Sequence, residues 1–164
     1  MNSLNLERIN AIAPYKVWGT TRNNEFNFIT ESGVLYGVGF TEEMEIAGIQ
    51  TYQFSFARLN ANHSGFDEKI KNTLISIIGE FFFANNEIMI YICDTSDCRE
   101  ASRSKLFVGW FKEYDNNNRF IIRTANTEIE GQGFYTALIV EKKNPKLDEI
   151  LEDFDTTAAM LCDK

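Results

Sequence analysis

Apolar and polar positions alternate along the first third of the chain, and this period of two predicts strands. Glu25–Thr30 alternates over its whole length, which is typical of a half-buried strand. Glu31–Gly33 is a tight-turn sequence, so a returning strand is predicted over Val34–Phe40. Thr51–Phe56 alternates again and is predicted to be the third strand of a meander. The acidic segment Glu42–Gly48 is predicted to be a covering loop or a single helical turn.

Four other segments place apolar residues three and four positions apart, which predicts helices. A short N-terminal helix is expected to end before Pro14, because proline disfavours a helical residue in front of it. The clearest helix spans Asp67–Asn85, and another apolar helical face runs over Leu106–Tyr114. The last helix is predicted to start at Asn144-Pro145, since proline suits the first helical position.

Three further strands are predicted in the second half of the chain. Ile88–Cys93 is an almost unbroken apolar run, which indicates a central strand covered on both faces. Arg119–Arg123 and Phe134–Val140 are predicted strands, with a polar loop over Thr127–Gly133 between them. Together the elements predict one α+β domain over residues 1–164. Its sheet is expected to be mixed, mostly antiparallel and six- to seven-stranded, with helices on both faces.

The composition favours a packed core and disfavours two classes of partner. Hydrophobic residues make up 44% of the 164 residues and include 14 phenylalanines, which is enough for a sizeable core. The net charge of −8 argues against nucleic acid, whose phosphates need a basic face. It also argues against a basic patch for a membrane surface. No segment approaches the roughly 20 apolar residues of a membrane-spanning helix, and the first residues do not have the pattern of a signal peptide.

The cysteines indicate a reducing compartment. Three cysteines form no dense disulfide framework, so free thiols in the cytoplasm are expected. Cys93 and Cys98 lie close in sequence, but zinc would need further ligands, and His63 is the only histidine. No metal site is therefore predicted. Cys93 is expected to be a buried small side chain rather than a nucleophile, because no second histidine can activate it.

The candidate binding residues cluster where the central strand ends and the next helix begins. Asp94 and Asp97 could together hold Mg²⁺, which prefers oxygen ligands. The structural alternative, which is favoured, has one of them capping the helix and the other paired with an arginine. Arg99 and Arg103 share a helical face and could fork onto a phosphate or carboxylate, or could pair with nearby acidic residues.

His63 is the remaining candidate site residue. It lies in the polar segment Asn60–Phe66, which contains Ser64-Gly65 and is predicted to be a loop. In such a loop it could act as a general base near a central crevice. The alternative is an exposed loop histidine without a catalytic role.

The order of predicted elements resembles the core of the GNAT acetyltransferase superfamily, apart from the last helix. In that superfamily a meander leads to a helix, a strand, a helix and a closing strand pair. The segment Ser96–Ala101, followed by Leu106-Phe107 and Trp110-Phe111, is similar to the superfamily's segment after its fifth strand. The resemblance implies a GNAT-like fold and, if the chain is active, an N-acyltransferase using acyl-CoA.

Two departures from the superfamily pattern bear on that activity. Its acyl-CoA signature is a glycine-rich turn whose backbone amides hold the pyrophosphate at a helix N-terminus. The corresponding stretch here, Asn60–Lys69, has one glycine and no arginine, and it places Asp67 and Glu68 where the pyrophosphate would lie. Phe107 stands near the superfamily's general-acid tyrosine and cannot donate a proton, while Tyr114 lies about two helical turns further on.

The string Cys93-Asp94, Ser96-Asp97, Arg99 and Arg103, with the following Leu-Phe and Trp-Phe pairs, also resembles a small bacterial protein family of unknown function. Two hypotheses follow. The first is a degenerate, non-catalytic GNAT-like module that binds a small anionic ligand or a protein partner at Asp94–Arg103. The second is an active N-acyltransferase with an atypical pyrophosphate loop, for which acyl-CoA is the cofactor. A monomer and a homodimer are both compatible with the apolar content.

Overall fold

A computed structural model describes the chain except for residues 63, 64, 66, 95–99, 116, 130, 131, 163 and 164, and gives only the backbone at 93, 94, 100–104, 127–129, 132, 133, 161 and 162. Within the described part there are four α-helices: α1 (Leu6–Ile12), α2 (Glu68–Ala84), α3 (Glu100–Tyr114) and α4 (Leu147–Cys162). The strands found there are β1 (Val17–Gly19), β2 (Glu25–Ile29), β3 (Leu35–Ile46), β4 (Ile49–Arg58), β5 (Ile88–Asp94), β6 (Phe120–Ile129) and β7 (Gln132–Glu141).

The seven strands form one sheet in the order β1-β2-β3-β4-β5-β7-β6. β2 pairs antiparallel with β1 and β3, and β7 pairs antiparallel with β5 and β6. The predicted class, an α+β protein with a mostly antiparallel sheet, is confirmed. The chain divides into two compact units: the first is Met1–Thr41 with Phe54–Asn86, and the second is Glu42–Gln53 with Glu87–Lys164. The single domain over residues 1–164 stays a prediction.

The first unit has an aromatic interior. Tyr15 and Tyr36 stack on either side of Phe28, with ring centroids 6.1 and 5.2 Å from it. Phe81 of α2 stacks on Phe40 of β3 at 4.8 Å. These contacts follow from the sequence, because strand alternation directs Phe28, Tyr36 and Phe40 inward and helical spacing brings α2 over them.

The second unit covers the central strand β5 with a helix on each face. Ile88 and Ile90 pack in an apolar cluster with Ile150 and Phe154 of α4. Tyr91, the next residue of the strand, stacks on Phe107 of α3 at 4.1 Å. Successive strand residues point to opposite faces, so α3 and α4 lie on opposite sides of β5. The predicted burial of this strand on both faces is confirmed.

The prediction of a loop or helical turn at Glu42–Gly48 is wrong. β3 continues to Ile46, and only Ala47 and Gly48 turn the chain, with φ of 52° and 70°. A two-residue turn with positive φ at both positions matches the twist of a β-hairpin. Met44 and Ile46 are two positions apart, which is the spacing of a strand, but the acidic residues around them favoured the prediction of a loop.

The predicted loop at Thr127–Gly133 is also shorter than expected. β6 runs to Ile129 and β7 starts at Gln132, so that Thr127 pairs with Phe134 and Glu128 with Gly133. β6 is the last strand in the sheet order, and polar side chains are common on edge strands because backbone pairing does not depend on side-chain polarity. The polar composition therefore misled the strand prediction here.

Candidate functional site

The sequence-predicted site residues lie only partly within the described structure. Asp94 is the last residue of β5, and its backbone pairs with Phe134 of β7. Arg103 belongs to α3. Asp97, Arg99 and His63 lie outside the described residues. The binding site at Asp94–Arg103 therefore stays a prediction.

The N-terminus of α2, where a GNAT-like enzyme would hold pyrophosphate, carries a carboxylate of this chain. Asp67 is the N-cap, and its Oδ1 accepts a hydrogen bond of 2.7 Å from the backbone N–H of Ile70. Its Oδ2 accepts a second, of 2.9 Å, from the Tyr15 hydroxyl. Burial and this hydrogen bond raise the pKa of the Tyr15 phenol. The capped helix start was predictable, but the tyrosine that supports it comes from a distant segment.

Two further contacts tie the first turns of α2 to the first unit. The backbone N–H of Tyr15 donates to Thr73 Oγ1 at 3.2 Å. Lys69 forms an ion pair with Glu31 in the turn before β3. The start of α2 is therefore bound by side chains and backbone of its own unit.

A cavity of about 200 Å³ opens in the second unit. The distal part of the β3–β4 hairpin, strands β5 to β7 and helix α4 surround it. Its apolar wall includes Ile90, Ile92, Ala125 and Phe154. The full set of lining residues comes from these five strands and the one helix: Glu43, Met44, Glu45, Ile46, Thr51, Ile90, Ile92, Ala125, Thr136, Asp153, Phe154, Thr157 and Ala158.

The polar groups of the cavity are carboxylates and hydroxyls. Glu43, Glu45 and Asp153 line it, and among the described residues no lysine, arginine or histidine does. Thr51 is fully buried at 0% exposure, and its Oγ1 has no hydrogen-bond partner within the described part of the chain. Burying a hydroxyl without a hydrogen-bond partner lowers the stability of the folded state by roughly 1–3 kcal/mol, so a buried hydroxyl of this kind needs a physical explanation.

The hairpin turn that borders the cavity is held by the α4 end of the unit. The backbone N–H of Ala47 donates to Asp153 Oδ2 at 2.7 Å, and Lys146 Nζ donates to the Ala47 carbonyl at 3.1 Å. The left-handed conformation of Ala47, with φ of 52°, costs roughly 1–2 kcal/mol for a non-glycine residue. The two hydrogen bonds therefore hold a strained turn in place over α4.

A separate group of titratable side chains surrounds Tyr52, which follows Thr51 in β4 and therefore points to the opposite face of the strand. The Tyr52 hydroxyl donates to Glu42 Oε1 at 3.2 Å. Burial, together with the charges of Glu87 and Glu42, raises the pKa of Tyr52 to about 12. Burial also raises the pKa of Glu87, whose Oε2 has no hydrogen-bond partner among the described residues. Tyr52 is therefore a neutral phenol at physiological pH.

The sequence prediction did not find this cavity. Glu43 and Glu45 fell in a segment predicted to be a loop, and Thr51 was only one polar position in an alternating strand. The available signal was the alternation of Met44 and Ile46 with acidic residues. It predicts a strand with alternating apolar and charged positions, but it does not predict that residues of both kinds line a cavity.

No group of three or more histidine, cysteine, aspartate or glutamate side chains is placed to hold a metal ion in the described part. No described helix is long and apolar enough to cross a membrane.

A family model matches residues 66–156, which is more than half of the chain. The chain belongs to the family of unknown function DUF6169. The DUF6169 match begins just before α2 and ends within α4, so it includes the cavity residues Ile90, Ile92, Asp153 and Phe154 but not Thr157 and Ala158. It leaves out the hairpin residues Glu43, Glu45 and Thr51. No curated protein and no solved structure matches the chain.

Proposed function

We propose that this DUF6169 protein is a non-catalytic module with a GNAT-like order of elements, which binds a small anionic ligand or a protein partner. The observation that carries the proposal is the Asp67 carboxylate at the N-terminus of α2. In a GNAT-like acyltransferase the backbone amides at that position hold the pyrophosphate of acyl-CoA. The protein is proposed to act in a reducing bacterial cytoplasm.

The order of elements supports the GNAT-like part of the proposal. After β1, strands β2, β3 and β4 lead to α2, and β5 and α3 precede the pair β6 and β7. This is the same succession of meander, helix, strand, helix and strand pair on which the resemblance rests. The family match extends over the second part of this succession and brings no activity with it.

The charges at α2 support the absence of acyl transfer. Asp67 already accepts the backbone N–H of Ile70, which a pyrophosphate oxygen would otherwise use. Asp67 and the neighbouring Glu68 would repel a bound pyrophosphate by roughly 1 kcal/mol or more per charge at close range. A bound CoA would thus have to displace a cap that the fold itself uses.

The side chain at position 107 supports the same conclusion. Phe107 is 3% exposed and stacks on Tyr91, so it is part of the core between α3 and β5. It has no hydroxyl that could protonate a leaving thiolate. Tyr114, near the C-terminal end of α3, is half-exposed, and burial raises the pKa of its phenol.

For the ligand we propose an anion held by Arg99 and Arg103, in the segment that follows β5. Guanidinium groups four residues apart on a helix can fork onto phosphate or carboxylate oxygens. The end of a central strand, next to the start of a helix, is a common place for ligands in folds of mixed topology.

The acyltransferase alternative is tested by thermal unfolding with and without acetyl-CoA. A ligand that binds only the folded state must raise the unfolding midpoint. We expect no shift at millimolar acetyl-CoA. A midpoint that rises with acetyl-CoA concentration would contradict the proposal and support the alternative.

The anion site is tested separately with pyrophosphate. We expect pyrophosphate to raise the midpoint of the wild type and of the control K105A, whose lysine is exposed on the same helix. The double variant R99A/R103A should lose the response. If it is less stable but still responds fully, the two arginines are structural and the ligand lies elsewhere.

A further inference from the structure

The cavity of the second unit has the size and wall of a small-molecule site. Its volume is about 200 Å³. An apolar cavity of roughly 150 Å³ in another protein is large enough to bind benzene. Ile90, Ile92 and Phe154 provide an apolar wall of comparable character. A six-membered ring with a one-carbon substituent therefore fits the available space.

The charges around the cavity select the substituent. Glu43, Glu45 and Asp153 line it, and no cationic side chain in the described structure does. One Asp153 oxygen already accepts the Ala47 N–H, and Glu43 and Glu45 are the other two acidic residues that line the cavity. A carboxylate ligand would be repelled here, whereas an ammonium group would be attracted.

A buried hydroxyl gives the site a third, independent polar group. Thr51 lines the cavity, is fully buried, and has an Oγ1 without a hydrogen-bond partner among the described residues. Buried polar groups in folded proteins are almost always paired, so an unpaired one beside a cavity needs an explanation. A hydrogen bond from a bound ammonium group to this oxygen would supply the missing partner.

We propose that this cavity binds a small apolar amine, with its hydrocarbon part against Ile90, Ile92 and Phe154 and its ammonium group towards Thr51 and the two glutamates. The proposal is independent of the anion site at Asp94–Arg103. It assigns the opposite ligand charge to a different set of residues, so either site can fail without the other.

The direct test is calorimetric titration of the full chain at pH 7 with three compounds of similar shape. Benzylamine carries a positive charge, benzyl alcohol is neutral and benzoate is negative. We expect benzylamine to bind most tightly, benzyl alcohol more weakly and benzoate not at all. Failure of benzylamine to bind, or binding of benzoate at equal affinity, would overturn the proposal.

Two variants on α4 test whether binding occurs in the cavity. A158L fills the space with a larger side chain, and A159L makes the same change at the next, exposed position, which does not line the cavity. Alanine and leucine are both good helix formers, so α4 should persist in both variants. We expect A158L to abolish benzylamine binding and A159L to leave it intact. Retained binding in a folded A158L would place the ligand elsewhere.

Polar variants test the ammonium contacts. T51V keeps the side-chain shape and removes the hydroxyl, and E43Q/E45Q removes both charges. We expect T51V to weaken benzylamine binding by about two- to tenfold. The double variant E43Q/E45Q should weaken benzylamine binding by a similar factor and should change benzyl alcohol binding little. The matched control is E152Q on α4, an exposed residue that does not line the cavity. An equal loss in E152Q would mean that net charge alone drives binding.

Discussion

Thr73 in the first unit and Thr51 in the second are both fully buried, but their hydroxyls have different surroundings. Thr73 Oγ1 donates to the Lys69 carbonyl at 2.7 Å and accepts from the Tyr15 N–H at 3.2 Å. Thr51 Oγ1 has no partner in the described structure and lies beside a cavity. Thr73 therefore holds a helix start, whereas Thr51 lies beside a cavity and makes no side-chain hydrogen bond in the described structure.

One buried glutamate in each unit is paired with basic side chains. Glu80 in the first unit is 6% exposed at its side chain and pairs with a half-exposed arginine, Arg8, through two hydrogen bonds of 2.6 and 3.0 Å. Glu141 in the second is 3% exposed and pairs with Arg119 and with Lys143. Glu80 and Glu141 are therefore both compensated, and these two residues do not share the contrast between the two threonines.

The largest effect is expected from the aromatic core of the first unit. F81A should lower the free energy of unfolding by about 3–5 kcal/mol, because it removes a fully buried ring that stacks on Phe40. Urea denaturation measures the loss. I92A, at the cavity wall of the second unit, should cost less, since Ile92 is only half-buried and already borders empty space.

F83A serves as the matched control on the same helix. Phe83 is 67% exposed and contacts the Arg8 guanidinium at 3.9 Å, so its loss should cost less than about 1 kcal/mol. An I92A loss as large as that of F81A would mean that the second unit is packed as tightly as the first, which would undo the comparison.

The buried glutamates should give the next largest effect, and the same one in both units. E80Q and E141Q should each lower the free energy of unfolding by roughly 1.5–3 kcal/mol, because each weakens charge-assisted hydrogen bonds. The arginines left behind are about half-exposed and can be rehydrated, which limits the cost. The measurement is again urea denaturation. A loss in only one variant would show that the two units treat buried charge differently.

The two threonines provide the sharpest test, because the expected effects have opposite signs. T73V should destabilise by roughly 1–2 kcal/mol, since it leaves the Tyr15 N–H without its acceptor. T51V should be neutral or stabilising by up to about 1 kcal/mol, because it removes a buried hydroxyl that makes no hydrogen bond in the described part of the chain. Matched denaturation curves in the absence of ligand decide the point. A destabilised T51V would mean that Thr51 has a partner after all.

The smallest effect is expected from Glu87 in the second unit, and it depends on pH. Burial raises the pKa of Glu87 in the folded state above its ordinary value of 4.5. The folded state then binds the proton more tightly than the unfolded state, so stability falls as pH rises from the unfolded pKa through the folded pKa. E87Q removes this loss, and its midpoint should exceed that of the wild type at pH 7.

The difference between E87Q and the wild type should largely vanish at pH 4, below the unfolded pKa, where the carboxyl is mostly protonated in both states. E152Q, at an exposed position of α4, is the control and should show no such pH dependence. A constant difference between E87Q and the wild type across this range would show that burial does not perturb the carboxyl.

Much of the fold was predictable because local pattern and tertiary packing agree. The helix that opens at Asp67, the apolar strand Ile88–Cys93 and the first hairpin all have strong periodicity, and the structure contains each of them. The strand that replaces the predicted loop at Glu42–Gly48 was not predictable, because its acidic side chains give it the composition of a loop. Its tight turn depends on the positive φ of Ala47, whose N–H donates to Asp153 and whose carbonyl accepts from Lys146.

The candidate sites divide in the same way. The carboxylate at the start of α2 was readable as a cap and as an obstacle to pyrophosphate, since capping is a local interaction within a few residues. The Tyr15 hydroxyl that completes it comes from 52 positions earlier. The sequence did not predict the cavity, because its walls come from six elements that are spread along the chain: β3, β4, β5, β6, β7 and α4.

The sequence by itself determined the α+β class, most of the helices and strands, and the negative charge at the start of α2. These depend on periodicity, caps and charge, which act between residues close in the chain. Only the tertiary structure decided that Thr51 is buried, with no side-chain hydrogen bond among the described residues, beside a cavity walled by Ile90, Ile92 and Phe154. A cavity is space that packed elements fail to fill, and its place depends on the fit of side chains that are distant in sequence.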